Sequence, residues 1–148
     1  MPSPVTIRLA SPDDAPALAP LLGELGYPAD AERVRARMTR VVGAGDSLSD
    51  SVFVAAVEGG GLVGLLSVHR FSALHADPDT ALITALVVAE QARGLGAGRA
   101  LVDRAVDTAR GWGCERLMVT THVRRADAHA FYERIGFTLT GRRYARAI

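Results

Sequence analysis

Ten residues, Gln91-Ala-Arg-Gly-Leu-Gly-Ala-Gly-Arg-Ala100, constrain this chain more than any others. They follow the apolar run ALITALVV at 81–88, which predicts a central strand because its apolar character is nearly continuous. Beyond them Leu101, Val102, Ala105, Val106, Ala109 and Trp112 mark one helical face, and Arg99, Asp103, Arg104, Asp107 and Arg110 the other. The passage therefore reads as strand, glycine-rich turn and helix N-terminus. In that arrangement successive N–H groups converge on an anion, the helix dipole favours negative charge, and glycine lets a ligand come close to the backbone.

The rest of the chain predicts a frame for this loop. Residues 5–9 (VTIRL) alternate as a half-buried strand, and Ser11-Pro-Asp-Asp14 supplies an N-cap serine, a first-turn proline and acids for a helix striped by Leu18, Leu21, Leu22 and Leu25. Pro20 is expected to kink or break that helix. A second amphipathic helix starts at Asp30 with Ala31, Val34, Met38 and Val41 on its apolar side. The runs at 51–57 and 62–71 flank Glu58-Gly-Gly-Gly61 and predict a hairpin. A polar loop is expected around 75–79, a strand at 117–123, a short helix striped by Ala128, Phe131, Tyr132 and Ile135, and a last strand or hairpin from Phe137. The order describes one α+β domain over residues 1–148.

Length and charge exclude several function classes. The 148 residues suit one ordinary core, and 17 Lys and Arg against 16 Asp and Glu leave no basic footprint for nucleic acid or a membrane surface. Cys114 is alone and reads as a small buried residue in a reducing compartment. With no signal-like segment and no long apolar run, a cytoplasmic protein is expected. The histidines His69, His75 and His122 lack metal-ligand spacing, so no metal is expected.

Two familiar nucleotide loops fail here. The dinucleotide fingerprint lacks its third glycine in both registers, where Arg99 or Leu101 stands, and the triphosphate loop's G-K-[ST] is missing. The string Val88-Ala-Glu-Gln-Ala-Arg93-Gly-Leu-Gly96-Ala-Gly98-Arg-Ala-Leu101 instead resembles the acyl-CoA signature R/Q-x-x-G-x-G/A of the GNAT superfamily of N-acyltransferases. Arg93, Gly96 and Gly98 take the signature positions, although a register beginning at Gln91 also satisfies the bare pattern. Downstream, Ala128-His-Ala-Phe131-Tyr132-Glu-Arg-Ile-Gly136-Phe137 is similar to that family's A-x-x-F-Y-e-x-x-G-F segment. Arg125 departs from the asparagine many members carry, so that contact to the pantetheine arm is not carried over.

The resemblance implies a GNAT fold: a mixed, mostly antiparallel central sheet flanked by helices and splayed at the acyl-CoA site. It implies acetyl-CoA as cosubstrate, held by Arg93, Gly94, Leu95, Gly96, Ala97, Gly98 and Arg99 and by backbone groups of Leu86, Val87 and Val88. It implies an acetyltransferase acting on a small-molecule or peptide amine, with backbone stabilisation of the oxyanion and Tyr132 as general acid. A phenol is mostly protonated at neutral pH and can donate to the departing sulfur. His129, one turn earlier, could relay a proton or lie idle at the surface. Glu24 and Tyr27, where the first helix runs into the second, are the candidates for substrate contact. No carboxylate stands on the central strand as a base, where Leu82-Ile-Thr-Ala85 occurs, which leaves two routes open: ordered water chained to backbone carbonyls and Thr84 carries the proton, or the acceptor is an amine whose pKa is already low. That gap keeps a second reading open, a non-catalytic acyl-CoA sensor or interaction module. Members of the family often form homodimers, and no residue pattern here assigns one.

Overall fold

The computed structural model describes residues 5–43, 49–59, 61–121 and 126–148. Strand β1 (Val5–Leu9) leads through one tight turn, Pro12–Asp14, into α1 (Ala15–Leu25). Asp14 locks this entry: its carboxylate accepts two hydrogen bonds from Arg8, at 2.8 and 2.9 Å, and one from the Ser11 N–H at 2.8 Å. The Arg8 guanidinium, helped by that N–H, holds the Asp14 carboxyl below the usual carboxylate range despite partial burial. Pro20 lies inside α1 and does not end it. The N–H it lacks would have met Pro16, and both prolines face solvent, where water can serve the spare carbonyl. Gly26, at φ 105°, closes the helix. Helix α2 (Ala31–Val42) is capped by Asp30, whose side chain accepts from the Arg33 N–H at 2.8 Å.

Four more strands complete the sheet: β2 (Asp50–Val57), β3 (Leu62–Ala73), β4 (Ala76–Val88) and β5 (Arg116–Val119). They lie in the order β1-β2-β3-β4-β5, antiparallel except for the parallel pair of β4 and β5. The crossover between that pair is α3 (Ala97–Gly111), and α4 (Ala126–Arg134) follows β5. One sheet face packs Phe53, Leu66, Val68 and Ile83 against Leu101, Ala105 and Ala109 of α3. The other packs Val54, Leu65 and Val87 against Leu18 and Leu21 of α1 and Val34 and Met38 of α2. No helix among the described residues is long and apolar enough to cross a membrane.

The structure differs from the sequence-based expectations in three places. The polar stretch at 75–79 is mostly strand, joined to β3 by a turn at Leu74 and His75. Its polar side chains are bonded across the pair, since the Ser72 hydroxyl donates to Asp79 at 2.7 Å and Arg70 Nε lies 3.7 Å from the same carboxylate. A loop-like composition therefore conceals a strand end. The strand expected at 117–123 stops pairing at Val119; His122 and Val123 lie outside the described residues, as do Arg125 and Gly60 of the glycine turn. The strand expected from Phe137 onward is not formed: 137–148 carry no regular secondary structure. Phe137 packs against the core, but Leu139, Tyr144 and Ile148 are exposed. With no apolar face to bury, that stretch gains too little to offset the entropy of ordering a strand.

Gly64 fixes how closely the layers approach. A Cβ there would lie 3.1 Å from Leu101 on α3 and 3.2 Å from the Val87 carbonyl on β4. Gly64→Ala is therefore expected to cost about 1–3 kcal/mol through overpacking, read as a lower urea midpoint at unchanged m-value. An unchanged midpoint would show that the backbone gives way freely.

Candidate active site

The central strand loses one neighbour partway along its length. Strands β4 and β5 pair from Thr80–Arg116 to Ile83–Val119 and no further. At that point β4 carries a bulge: Val68 pairs with Ile83 and Ser67 with Ala85, so Thr84 is the extra residue. Its hydroxyl donates to the Ser67 carbonyl at 3.3 Å. Past the bulge β4 stays bonded to β3 while its other edge is open. The Ala89 N–H donates to Val63 at 2.8 Å, which sets the alternation back along the strand. By that alternation the groups of Val87 and Ala85 turn toward β3, and the N–H and C=O of Leu86 and Val88 turn to the open edge.

This edge runs into the glycine loop. A single turn, Glu90–Ala92, precedes Arg93, and Gly94 and Gly96 hold φ values of 91° and 82°, which a Cβ would strain. Ala92 and Ala97 are buried and fasten the loop on both sides. The first bond within the following helix runs from the Ala100 N–H to Gly96 at 3.0 Å. The N–H groups of Ala97, Gly98 and Arg99 precede it and are left at the positive end of α3. Gly98 has a further reason to be glycine. Its Cβ would sit 3.2 Å from the Phe131 ring, so its absence lets α4 close over the start of α3. Arg93 Nη1 lies 3.8 Å from Asp127 of α4, an exposed pair of little energetic weight.

The remaining predicted site residues fall around this cleft unevenly. Tyr132 is half-buried on α4, edge-on to Phe131 at 5.5 Å and to Phe137 at 5.7 Å. His129 sits one turn before it. Glu24 is exposed, and its Oε1 accepts from the Glu90 N–H at 3.0 Å, which ties the end of α1 to the turn ahead of the loop. Tyr27, in the connection to α2, is exposed.

Two features escaped the sequence reading. The Thr121 hydroxyl, just beyond the end of β5, is buried and has no hydrogen-bond partner among the described residues. Thr121 lies two residues past Val119, the last residue of β5 that pairs with β4, and so just beyond the point where the strands part. An unsatisfied buried hydroxyl beside an open strand edge is a place for a ligand's polar group. The second is His69, whose Nδ1 lies 2.8 Å from Asp50 Oδ1 on the neighbouring strand. Taken together, the donors at the α3 N-terminus, the open β4 edge and the Thr121 hydroxyl fit an elongated ligand with an anionic end and an amide-bearing arm. Among the described residues no group of His, Cys, Asp and Glu could hold a metal ion.

Residues 23–137 match the acetyltransferase (GNAT) family. An aminoalkylphosphonate N-acetyltransferase from Salmonella typhimurium is 34% identical over 93 residues, 63% of this chain and 60% of that protein. A 5-NmdU N-acetyltransferase from Pseudomonas phage PaMx11 is 38% identical over 64 residues, 43% of either chain. The matched stretch thus spans less than two thirds of either relative. Among solved structures, a transcriptional regulator from Bacillus halodurans C-125 superposes with a TM-score of 0.85 at 26% identity, covering 98% of this chain and all of that one.

An orphaned hydroxyl costs stability until something meets it. Thr121→Val keeps the shape and removes the unsatisfied group, so it is expected to stabilise the ligand-free protein by about 1 kcal/mol. A raised urea midpoint is the check; a lowered one would mean the hydroxyl is already satisfied.

Proposed function

The chain belongs to the GNAT acetyltransferase family, and we propose that it is an acetyl-CoA-dependent N-acetyltransferase acting on a primary amine. The observation that carries this reading is the open edge of β4 past Thr84, which ends on a helix N-terminus rich in free N–H groups. In this reading the N–H groups of Gly94 to Arg99 hold the pyrophosphate, with Arg93 and Arg99 adding positive charge at the rim. The outward backbone groups of Leu86 and Val88, with the Thr121 hydroxyl, hold the amides of the pantetheine arm, and Val87 acts through its side chain as the buried anchor of that stretch. Bound acetyl-CoA supplies the thioester. In this reading the Leu86 N–H receives the carbonyl oxygen as negative charge grows on it, an interaction worth about several kcal/mol where water is excluded.

Tyr132 is the proposed donor of the proton that the departing sulfur needs. What supports this is that Phe131 and Phe137 lie edge-on to its ring and that Phe131, its neighbour in the chain, packs against Gly98 at the start of α3. Glu24 acts on the site by fixing the Glu90 turn, and Tyr27 borders the acceptor side. The acceptor is a small-molecule or peptide amine. The Salmonella relative is named for aminoalkylphosphonate and the phage relative for 5-NmdU, and the amine class alone is carried over here.

Two measurements test the reading. Acetyl-CoA at a hundredfold excess over its dissociation constant is expected to stabilise the fold by about 2.7 kcal/mol, and thiol release from acetyl-CoA should appear with members of an amine panel. Protection without release from any amine would favour the sensor reading. Absence of both would remove the acyl-CoA site. Within the enzyme reading, Tyr132→Phe keeps the ring and removes the proton, so acetyl-CoA affinity should hold while kcat falls roughly ten- to a thousandfold. His129→Gln measured beside it separates the two donors: a fully active Tyr132→Phe with an impaired His129→Gln would move the role to His129.

A further inference from the structure

An alkyl amine is protonated at neutral pH and must lose a proton before it can attack. From Thr80 onward, where it runs to the cleft, strand β4 offers no carboxylate for this. Its cross-strand neighbour does offer a base. His69 pairs with Leu82, two positions before the bulge at Thr84 where the cleft opens. His69 alternates with Leu65, which packs toward α1 and α2, so it shares that face with Ser67, Phe71 and, across the strand, Leu82. Toward α1 the face is closed by Leu65 and Val87, whereas the His69 side chain keeps 39% of its surface. The ring is also held. Asp50 Oδ1 lies 2.8 Å from Nδ1, the Ser49 hydroxyl bonds the other Asp50 oxygen at 3.2 Å, and Phe71 stacks at 6.2 Å between centroids.

We propose that His69 is the base that takes the proton from the acceptor's ammonium group, directly or through one ordered water, and that Asp50 is its positioning residue. This rests on the acetyltransferase reading above. A carboxylate on Nδ1 accepts a hydrogen bond and so places the neutral ring's proton there, leaving the Nε2 lone pair free. Asp50 is the charged group facing the ring among the described residues. Leu82 faces it from β4, and Arg70 with Asp79 turns to the opposite face, where Arg70 lies over Trp112. The protons balance as follows. The amine gives up two: His69 Nε2 takes the first, which frees the lone pair that forms the C–N bond as the C–S bond breaks. Tyr132 protonates the thiolate and regains its own proton from the amide nitrogen through water. His69 returns its proton to solvent, the one proton released per turnover.

The closing experiment combines kinetics with an observable that needs no acceptor. With 2-aminoethylphosphonate as acceptor probe, His69→Gln should lose roughly 100-fold in kcat and the acidic limb of its pH profile, with acetyl-CoA affinity unchanged. Imidazole added to His69→Ala should restore part of the rate, which a merely structural ion pair would not allow. In the wild type, nitrogen-15 NMR of His69 should show the neutral ring protonated on Nδ1, and Asp50→Asn should abolish that preference. A neutral ring protonated on Nε2 would falsify the base role whether or not the probe is turned over. So would a His69→Gln variant with wild-type kcat and pH profile. Failure of the wild type to bind acetyl-CoA is the separate outcome that removes the acetyltransferase reading and the base role with it.

Discussion

Everything about this site depends on where β4 and β5 stop bonding. In an ordinary parallel pair the ladder would continue past Ile83 and Val119, and the open backbone groups of Leu86 and Val88 would be consumed by β5. The extra residue at Thr84 prevents this. A bulge increases local twist and bends its strand, so β4 is carried away from β5 while keeping its bonds to β3. The Thr84 hydroxyl on the Ser67 carbonyl ties the bulged residue to the strand it remains paired with. A sheet edge is normally a liability that invites unwanted pairing. Here the exposed length is short, lies inside the sheet and ends at a helix, so it suits a ligand arm better than another strand.

A strand that has lost one ladder needs support from its faces. Val87 is buried against α1 and α2, and Leu86 and Val88 pack on the side of α3. Gly64 lets β3 lie close to both Leu101 and the Val87 carbonyl, so the backbone that would meet a thioester is clamped from two sides. Glu24 and Ala92 hold the turn after it, and Phe131 against Gly98 holds α4 over the helix start. Backbone donors fixed in this way need no rearrangement when charge develops on a ligand, which is the condition for them to count in catalysis.

The sequence made the fold and the loop legible because each carries local signals. Periods of two and of 3.6 marked β1, α1, α2 and α3, and the glycines at 94 and 96 do occupy the left-handed region that no other side chain takes cheaply. It misled where side-chain polarity stood in for structure. Ser72 and Asp79 are polar because they bond each other across a strand end, and beyond Phe137, which packs on the core, the apolar residues from Leu139 onward find no surface to cover. Thr121 was invisible for a different reason: an unsatisfied hydroxyl is a property of surroundings, and nothing about a threonine in its own sequence signals it.

Asp50 and His69 show the limit most directly. Nineteen residues separate them, and no local motif joins them; only the antiparallel register of β2 with β3 sets Asp50 opposite His69. That register is fixed by burial rather than by either residue's chemistry, because Phe53 and Leu66 must face α3 while Val54 and Leu65 face α1 and α2. A slip of one position would exchange the two faces. It would send His69 to the α3 side with Arg70's present neighbours and leave Asp50 without it. The packing that stabilises the sheet therefore also decides which polar side chains meet across it, and in this chain the apolar pattern of two strands positions an imidazole and a carboxylate that neither strand could place alone.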